Sequence, residues 1–175
     1  MQNSIEESPY AIQIDNFYEL ARDTVLEAHD WSFANAFKEL SVAEESSPVG
    51  TWQYAMTCPN DCVSPRAIID PADNKEKKFE PVIDTYGTKV LLTNCNPCIL
   101  RYTKKITNET LFTASFVRVL AFYLAYLSAQ VVTGSANKKN TNLQDYQIAI
   151  REAIVTDARK TTIKDQDDSD FTDYR

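Results

Sequence analysis

The chain has 175 residues, 43% of them hydrophobic and 25% charged, and a formal net charge of -7. That length fits one compact domain or two small lobes sharing a core, and the composition is that of a chain able to bury one. Eighteen Lys and Arg against 25 Asp and Glu disfavour a nucleic-acid binder, whose grip on phosphate comes from basic residues displacing counterions.

The first residues, Met1 to Glu7, carry neither a basic nor an apolar leader segment, so no secretory signal is expected and the chain is expected to be made in a cytosol. Ser8-Pro9 has the chemistry of a helix start, a capping hydroxyl followed by a ring pre-set to helical φ. The helix is expected to run to about His29, with Tyr10, Ile14, Phe17, Ala21, Val25 and Ala28 as its apolar stripe. Asp15, Glu19, Arg22, Asp23 and Glu27 are read as its solvated face. Just past its end, Trp31 and Phe33 are read as core rather than contact residues.

Between Lys38 and Tyr102 the period shortens to two. Leu40 and Val42 alternate with polar neighbours, as do Trp52, Tyr54 and Met56. Val82 to Tyr86 and Lys89 to Thr93 flank Gly87-Thr88 as a hairpin, and Asn94 to Pro97 turns the chain into Ile99 to Thr103. Asp70 to Lys78 is polar and turn-rich, an exposed loop tip.

After Thr110 the helical period returns. Phe112, Phe116, Val119, Leu120, Tyr123, Leu124, Leu127 and Val131 cover more than half a helix, and Gly134 stops it. The stretch Leu111 to Thr133 has the length of a membrane span, but Ser115, Arg118, Ser128 and Gln130 are spread along it, so it is read as buried in protein. A last helix from about Asn142 to Thr161 places Leu143, Tyr146, Ile150, Ala153, Ile154 and Asp157 on one side. From Lys164 onward five aspartates accompany no apolar period, which reads as an extended arm. Within it Asp170, Phe171, Tyr174 and Arg175 are the candidate partner-binding residues, aromatic anchors beside an arginine suited to a carboxylate.

The expected architecture is therefore α+β: an antiparallel helical bundle of about three long helices over 8–37 and 104–163, an inserted small antiparallel β-sheet domain over 38–103, and an extended C-terminal tail over 164–175.

Three glycines, at 50, 87 and 134, lie too far apart for a phosphate-cradling loop or a dinucleotide fingerprint. One histidine rules out a two-cysteine, two-histidine zinc finger within the chain. Cys58-x-x-x-Cys62 and Cys95-x-x-Cys98 suggest a four-thiolate zinc site. The first spacing is one residue too long for the usual knuckle and neither pair is followed by glycine, so free thiols and no metal or other cofactor are expected. His29 could serve Ser32 as a base, yet no third group or oxyanion donor is recognisable beside it. Its ordinary role is a cation or carbonyl partner at a helix end, and no catalytic residue, hence no enzyme, is expected.

Taken in order, several segments resemble one family. Ser8-Pro9, Tyr18, Arg22-Asp23, Leu26, His29, Trp31 and Phe33-Ala34 resemble the opening signature of the tail tubular protein A family, the gatekeeper or head-to-tail adaptors of short-tailed bacteriophages. Tyr54-Ala55 with Pro59-x-Asp61-Cys62, and Leu91-Leu92-Thr93 with Arg101-Tyr102, are similar to its strand elements. Phe116 to Ala129 with Thr133-Gly134-Ser135 resembles its long helix, and Tyr146, Ala149, Arg151-Glu152-Ala153 and Asp157-Ala158 its last one. Asp170, Phe171 and Arg175 are similar to its acidic tail. Family members usually carry a further amphipathic helix before the Ser-Pro start, and have proline where Asp30 stands and arginine where Glu27 stands.

The resemblance implies a structural virion protein: a ring of twelve copies at the portal vertex of the tail, assembled in the host cytoplasm, joining the portal protein to the tail nozzle or a further adaptor ring. Genomic DNA would pass through its channel unbound, and no membrane would be involved. The alternative from the residues alone is a small acidic protein-interaction or four-cysteine zinc-binding module.

Overall fold

A computed structural model describes residues 9–43, 48 and 50–166. The chain divides into two compact units, Met1–Phe33 with Asn108–Arg175, and Ala34–Thr107.

The first unit is helical. Helix α1 (Pro9–Glu27) buries Ala21, Arg22, Val25 and Leu26. The stripe expected from the sequence is thus turned: Ile14 and Ala28 are exposed, while Leu26 and the charged Arg22 face inward. Helix α2 (Ala114–Thr133) starts where the Thr113 hydroxyl accepts from the Phe116 amide at 3.3 Å. It ends at Gly134, whose φ of 61° is the left-handed geometry that glycine adopts without a Cβ penalty.

Helix α3 (Ala136–Gln166) begins earlier and ends later than its apolar period predicts. Its first two turns are polar and carry no stripe. They are held instead by the Ser135 carbonyl, which accepts from Lys139 N at 3.2 Å, by Asn142 Nδ2 donating to Ala125 O at 2.9 Å, and by the Lys139 ammonium over the Tyr126 ring. Arg118–Glu152, Tyr123–Tyr146 and Tyr126–Lys139 pair rising with falling numbers, so α2 and α3 run antiparallel.

The second unit holds seven strands: β1 (Asn35–Glu39), β2 (Tyr54–Thr57), β3 (Cys62–Asp70), β4 (Lys75–Lys77), β5 (Phe79–Ile83), β6 (Lys89–Thr93) and β7 (Ile99–Lys104). They form two antiparallel sheets, ordered β1-β7-β3-β4 and β2-β6-β5. Met56 and Leu91 from one sheet and Ile68, Leu100 and Tyr102 from the other share a single buried cluster with all four cysteines. Ala55, Val90 and Leu92 form a smaller cluster with Trp52 and Val82, so β6 is covered on both faces.

The expected helical bundle with a small inserted sheet does not hold. The chain is α+β only in the loose sense of three helices and two antiparallel sheets, and the β unit is no minor insert. Three features hid strands. Pro65 sits inside β3, where the pairing with β7 is irregular on either side of it, between Cys62 and Ser64 and between Pro65 and Ala67. Edge strand β1 exposes nearly all its residues, so it lacks alternation. Edge strand β4 consists of Lys75, Glu76 and Lys77, charges that suit an unpaired edge and read from sequence as loop. At the other end, α3 takes in Lys164 to Gln166 of the expected arm, and residues 167–175 lie outside those described.

Candidate functional site

The most interlocked polar group in the helical unit centres on Asp157 of α3, only 3% exposed. Its carboxylate accepts from Ser32 N at 2.9 Å and from the Ser32 hydroxyl at 2.7 Å, while His29 Nε2 lies 3.5 Å from Oδ2. A buried carboxylate is tolerable when its oxygens are satisfied in this way, and here it also caps the one-turn 3-10 helix Ser32–Ala34. His29 packs edge-on to Trp31, with ring centroids 5.0 Å apart. Trp31, fully buried, donates from Nε1 to the Val25 carbonyl at 2.7 Å, taking up an orphan acceptor at the end of α1.

Around this lock the rings of Trp31, Phe33, Phe112 and Phe116 make successive edge or tilted contacts with centroids 4.8 to 6.2 Å apart. The Ser32 hydroxyl gives its hydrogen bond to Asp157, so the sequence pairing of Ser32 as nucleophile with His29 as base is not the arrangement found. The side of α1 adds Arg22, 4% exposed, whose Nε donates to Asp23 at 2.9 Å. Its Nη2 lies 4.0 Å from Glu19 Oε1 and is buried without a hydrogen bond. Nearby, the Tyr18 hydroxyl donates to Glu109 at 2.5 Å; burial, then that bond to a carboxylate, push its pKa up to about 12.

The helices of this unit also leave apolar surface uncovered. Ile12, Ile14 and Leu20 on α1, Val117, Val131 and Val132 on α2, and Ile148 and Val155 on α3 are all exposed. Helix α2 is long and apolar enough to cross a membrane by length and composition, and little of it is buried within this chain, so it is not the enclosed helix expected from the sequence. Arg118 on α2 bonds Glu152 of the antiparallel α3 at 2.8 Å, and the Lys139 ammonium of α3 lies over the Tyr126 ring of α2.

In the β unit, the free thiols of Cys58, Cys62, Cys95 and Cys98 are all buried. Among the described residues no group of three or more His, Cys, Asp or Glu side chains converges as metal donors would. The pairs differ. The Cys58 thiol donates to the Pro59 carbonyl at 3.8 Å; the neighbouring Cys62 thiol lowers the Cys58 pKa to about 7, while Cys58 and burial push that of Cys62 upward. Cys98 is pushed up to about 11 by burial and then by the neighbouring Cys95, and Cys95 is raised by burial. On the same sheet unit the Tyr102 hydroxyl donates to Asp61 Oδ1 at 3.1 Å, and Lys104 Nζ lies 3.4 Å from Oδ2.

The arm residues Asp170, Phe171, Tyr174 and Arg175 lie outside the described residues. The structure brings together His29, Trp31 and Phe33, which the sequence singled out, with Asp157, which the sequence placed on an apolar side without a role, and it buries Arg22, which the sequence read as solvated. Asp157 and Arg22 are acids and bases set in phase with apolar stripes, Asp157 after Ile150, Ala153 and Ile154, and Arg22 between Ala21 and Val25. A charge in that phase is the signal by which a buried, partnered group is recognised. Compared with protein-family models and with curated proteins, the chain matches none.

Proposed function

We propose that the protein is a structural head-to-tail adaptor of a short-tailed bacteriophage, one subunit of a ring that joins the portal to the tail nozzle around the DNA channel. The observation that carries this reading is the meeting of His29 and Ser32 with Asp157, 125 residues apart in sequence for Ser32. The first and last segments of the resemblance to the tail tubular protein A family thereby converge on one buried lock. His29 and Asp157, both matched in that resemblance, lie 3.5 Å apart, which supports a shared architecture over a chance series of weak motifs.

Two physical features support it further. The exposed apolar residues of α1, α2 and α3 are what a subunit-to-subunit wall requires, since surface left bare in a lone chain is covered in a heterologous ring. A net charge of -7 suits a channel wall that must let a polyanion slide without gripping it. The C-terminal residues Asp170, Phe171, Tyr174 and Arg175 are the proposed contacts to a neighbouring component. Among the described residues the four thiols are not gathered into one donor set.

Imaging of virions tests the reading directly. This chain is expected as a ring on the portal-proximal tail axis, and native mass spectrometry of the purified portal complex is expected to give a single closed multiple. Density for the chain anywhere else in the particle overturns the proposal. Within it, removing residues 167–175 is expected to lower incorporation into portal-bearing particles, and undiminished incorporation removes the arm from the interface.

A further inference from the structure

Three surface clefts of the β unit, of about 150, 200 and 300 Å³, all have Cys58 in their walls, and two of them also have Cys62. The largest is formed by Cys58, Pro59, Asn60, Cys62, Thr88 and Lys89 with Gly87, so the dithiol sits beside a lysine and two turns. Cys95 and Cys98 line none of the three. The chain places Cys58 immediately after β2 and Cys62 at the first position of β3. A turn in which Cys62 N donates to Pro59 O at 3.0 Å brings the two together. Cys58 N also donates to the Lys89 carbonyl at 3.3 Å, which ties the thiol to the start of β6.

We propose that Cys58 and Cys62 form a thiol–disulfide exchange site, with Cys58 attacking and Cys62 resolving, for an anionic low-molecular-weight disulfide of the glutathione class. The Cys58 thiolate attacks one sulfur of the disulfide; a new S–S bond forms, the old one breaks, and one thiolate leaves. Cys62, as thiolate, then attacks the Cys58 sulfur of the mixed disulfide. The second small thiolate leaves, and the proton Cys62 gave up ends on a leaving thiolate. The protein loses two electrons and two protons in all, and the external disulfide gains them.

Four groups face the Cys58 sulfur with opposing effects, and one of them, the Pro59 carbonyl that accepts from the thiol at 3.8 Å, favours the protonated form. The Cys62 S–H bond and the Lys89 charge favour the thiolate, whereas burial and Asp61 oppose it. Asp61 is itself engaged by the Tyr102 hydroxyl and by Lys104, so its opposition is blunted. Lys89 also offers a cation to the carboxylates of the incoming disulfide. A thiol with a lowered pKa at a cleft is the reactive kind, and one raised by burial is the inert kind. The molecule thus carries its own control in Cys95 and Cys98.

The test uses the full chain with oxidised glutathione as the probe at pH 7, read by mass spectrometry of intact protein and of peptides. Wild type is expected to form a Cys58–Cys62 bond. Cys62→Ser is expected to keep one glutathione on Cys58, and Cys58→Ser to lose at least about tenfold in rate. A bond mapped to Cys95–Cys98, or failure of Cys62→Ser to trap glutathione while its circular dichroism matches wild type, overturns the proposal. Wild type alone supplies a second readout that needs no variant: in brief iodoacetamide pulses, labelling of Cys58 is expected to rise through about pH 7 and to precede that of Cys95 and Cys98. One common rate for all four cysteines overturns it as well. Because none of these outcomes depends on ring assembly, the site stands or falls apart from the adaptor reading.

Discussion

The two units solve the same problem with different chemistry. The β unit closes over an apolar cluster in which Met56, Ile68, Leu91 and Leu100 are essentially inaccessible to water, and its polar groups sit mainly in turns such as Asp84 to Thr88, where the Asp84 carboxylate accepts from two amides. The helical unit buries fewer large aliphatic side chains and relies on a polar lock at Asp157 set against an aromatic cluster, while much of its apolar surface stays outside. A core made of apolar side chains tolerates repacking, whereas a buried carboxylate that serves two donors and a histidine tolerates only its own geometry. The contrast also extends to the surface: most of the exposed large apolar side chains lie on the helical unit, among them Ile12, Leu20, Val117 and Ile148.

The largest effect that probes this contrast is truncation of a large, fully buried side chain in each unit. Trp31→Ala is expected to cost about 3–5 kcal/mol, and Leu100→Ala about 2–5 kcal/mol, in chemical denaturation. Hydrogen exchange sharpens the comparison. Each change is expected to lower amide protection chiefly in its own unit, and equal loss in both would mean that they unfold as one cooperative body rather than as two.

Next comes the lock itself. Asp157→Ala leaves the Ser32 amide and hydroxyl without their acceptor and His29 without a carboxylate, so a loss of about 3 kcal/mol is expected. Asp157→Asn keeps one acceptor oxygen and should fall between the variant and wild type. A loss below about 1 kcal/mol for the alanine change would show that the helical unit does not depend on this group, and the contrast with the β unit would go with it.

These residues also show what a sequence exposes and what it hides. Helix α2 was legible because its apolar period and its Gly134 stop agree, and β6 because Val90 to Thr93 form an apolar run beside a glycine turn. The start of α3 was not, because Lys138 to Asn142 are held by α2 and not by an apolar stripe of their own. Strand β3 was masked by Pro65, which a strand tolerates only where the ladder is irregular. For the same reason the sheets were underestimated and the bundle overestimated. Of the lock, Trp31 was read as core from its place after a helix end. The partner Asp157 is fixed by a contact that spans more than a hundred residues, and no local pattern encodes which donors it meets.

The smallest expected effect compares two tyrosines with the same chemistry in different surroundings. Tyr18 donates to Glu109 in the helical unit and Tyr102 to Asp61 in the β unit, and both are pushed up to about 12, by burial first and by the carboxylate bond second. A tyrosine whose folded pKa lies above the unfolded value of 10.0 adds stability that is fully present below pH 10 and is lost as pH rises towards 12. Melting temperature should therefore fall over that window, and Tyr→Phe at either position should flatten part of the fall. At neutral pH the two must differ. Tyr102 is 4% exposed although its acceptor Asp61 is 41% exposed and also holds Lys104, so Tyr102→Phe removes the hydroxyl of a buried ring at the edge of the core and is expected to cost about 1 kcal/mol. Tyr18 meets Glu109 near solvent, where water replaces the lost donor, and Tyr18→Phe should cost about 0.5 kcal/mol or less. Equal costs in a denaturant series would place the Tyr18 hydroxyl in surroundings as dry as those of the Tyr102 ring, and the helical unit would then be better sealed at the start of α2 than its exposed faces imply.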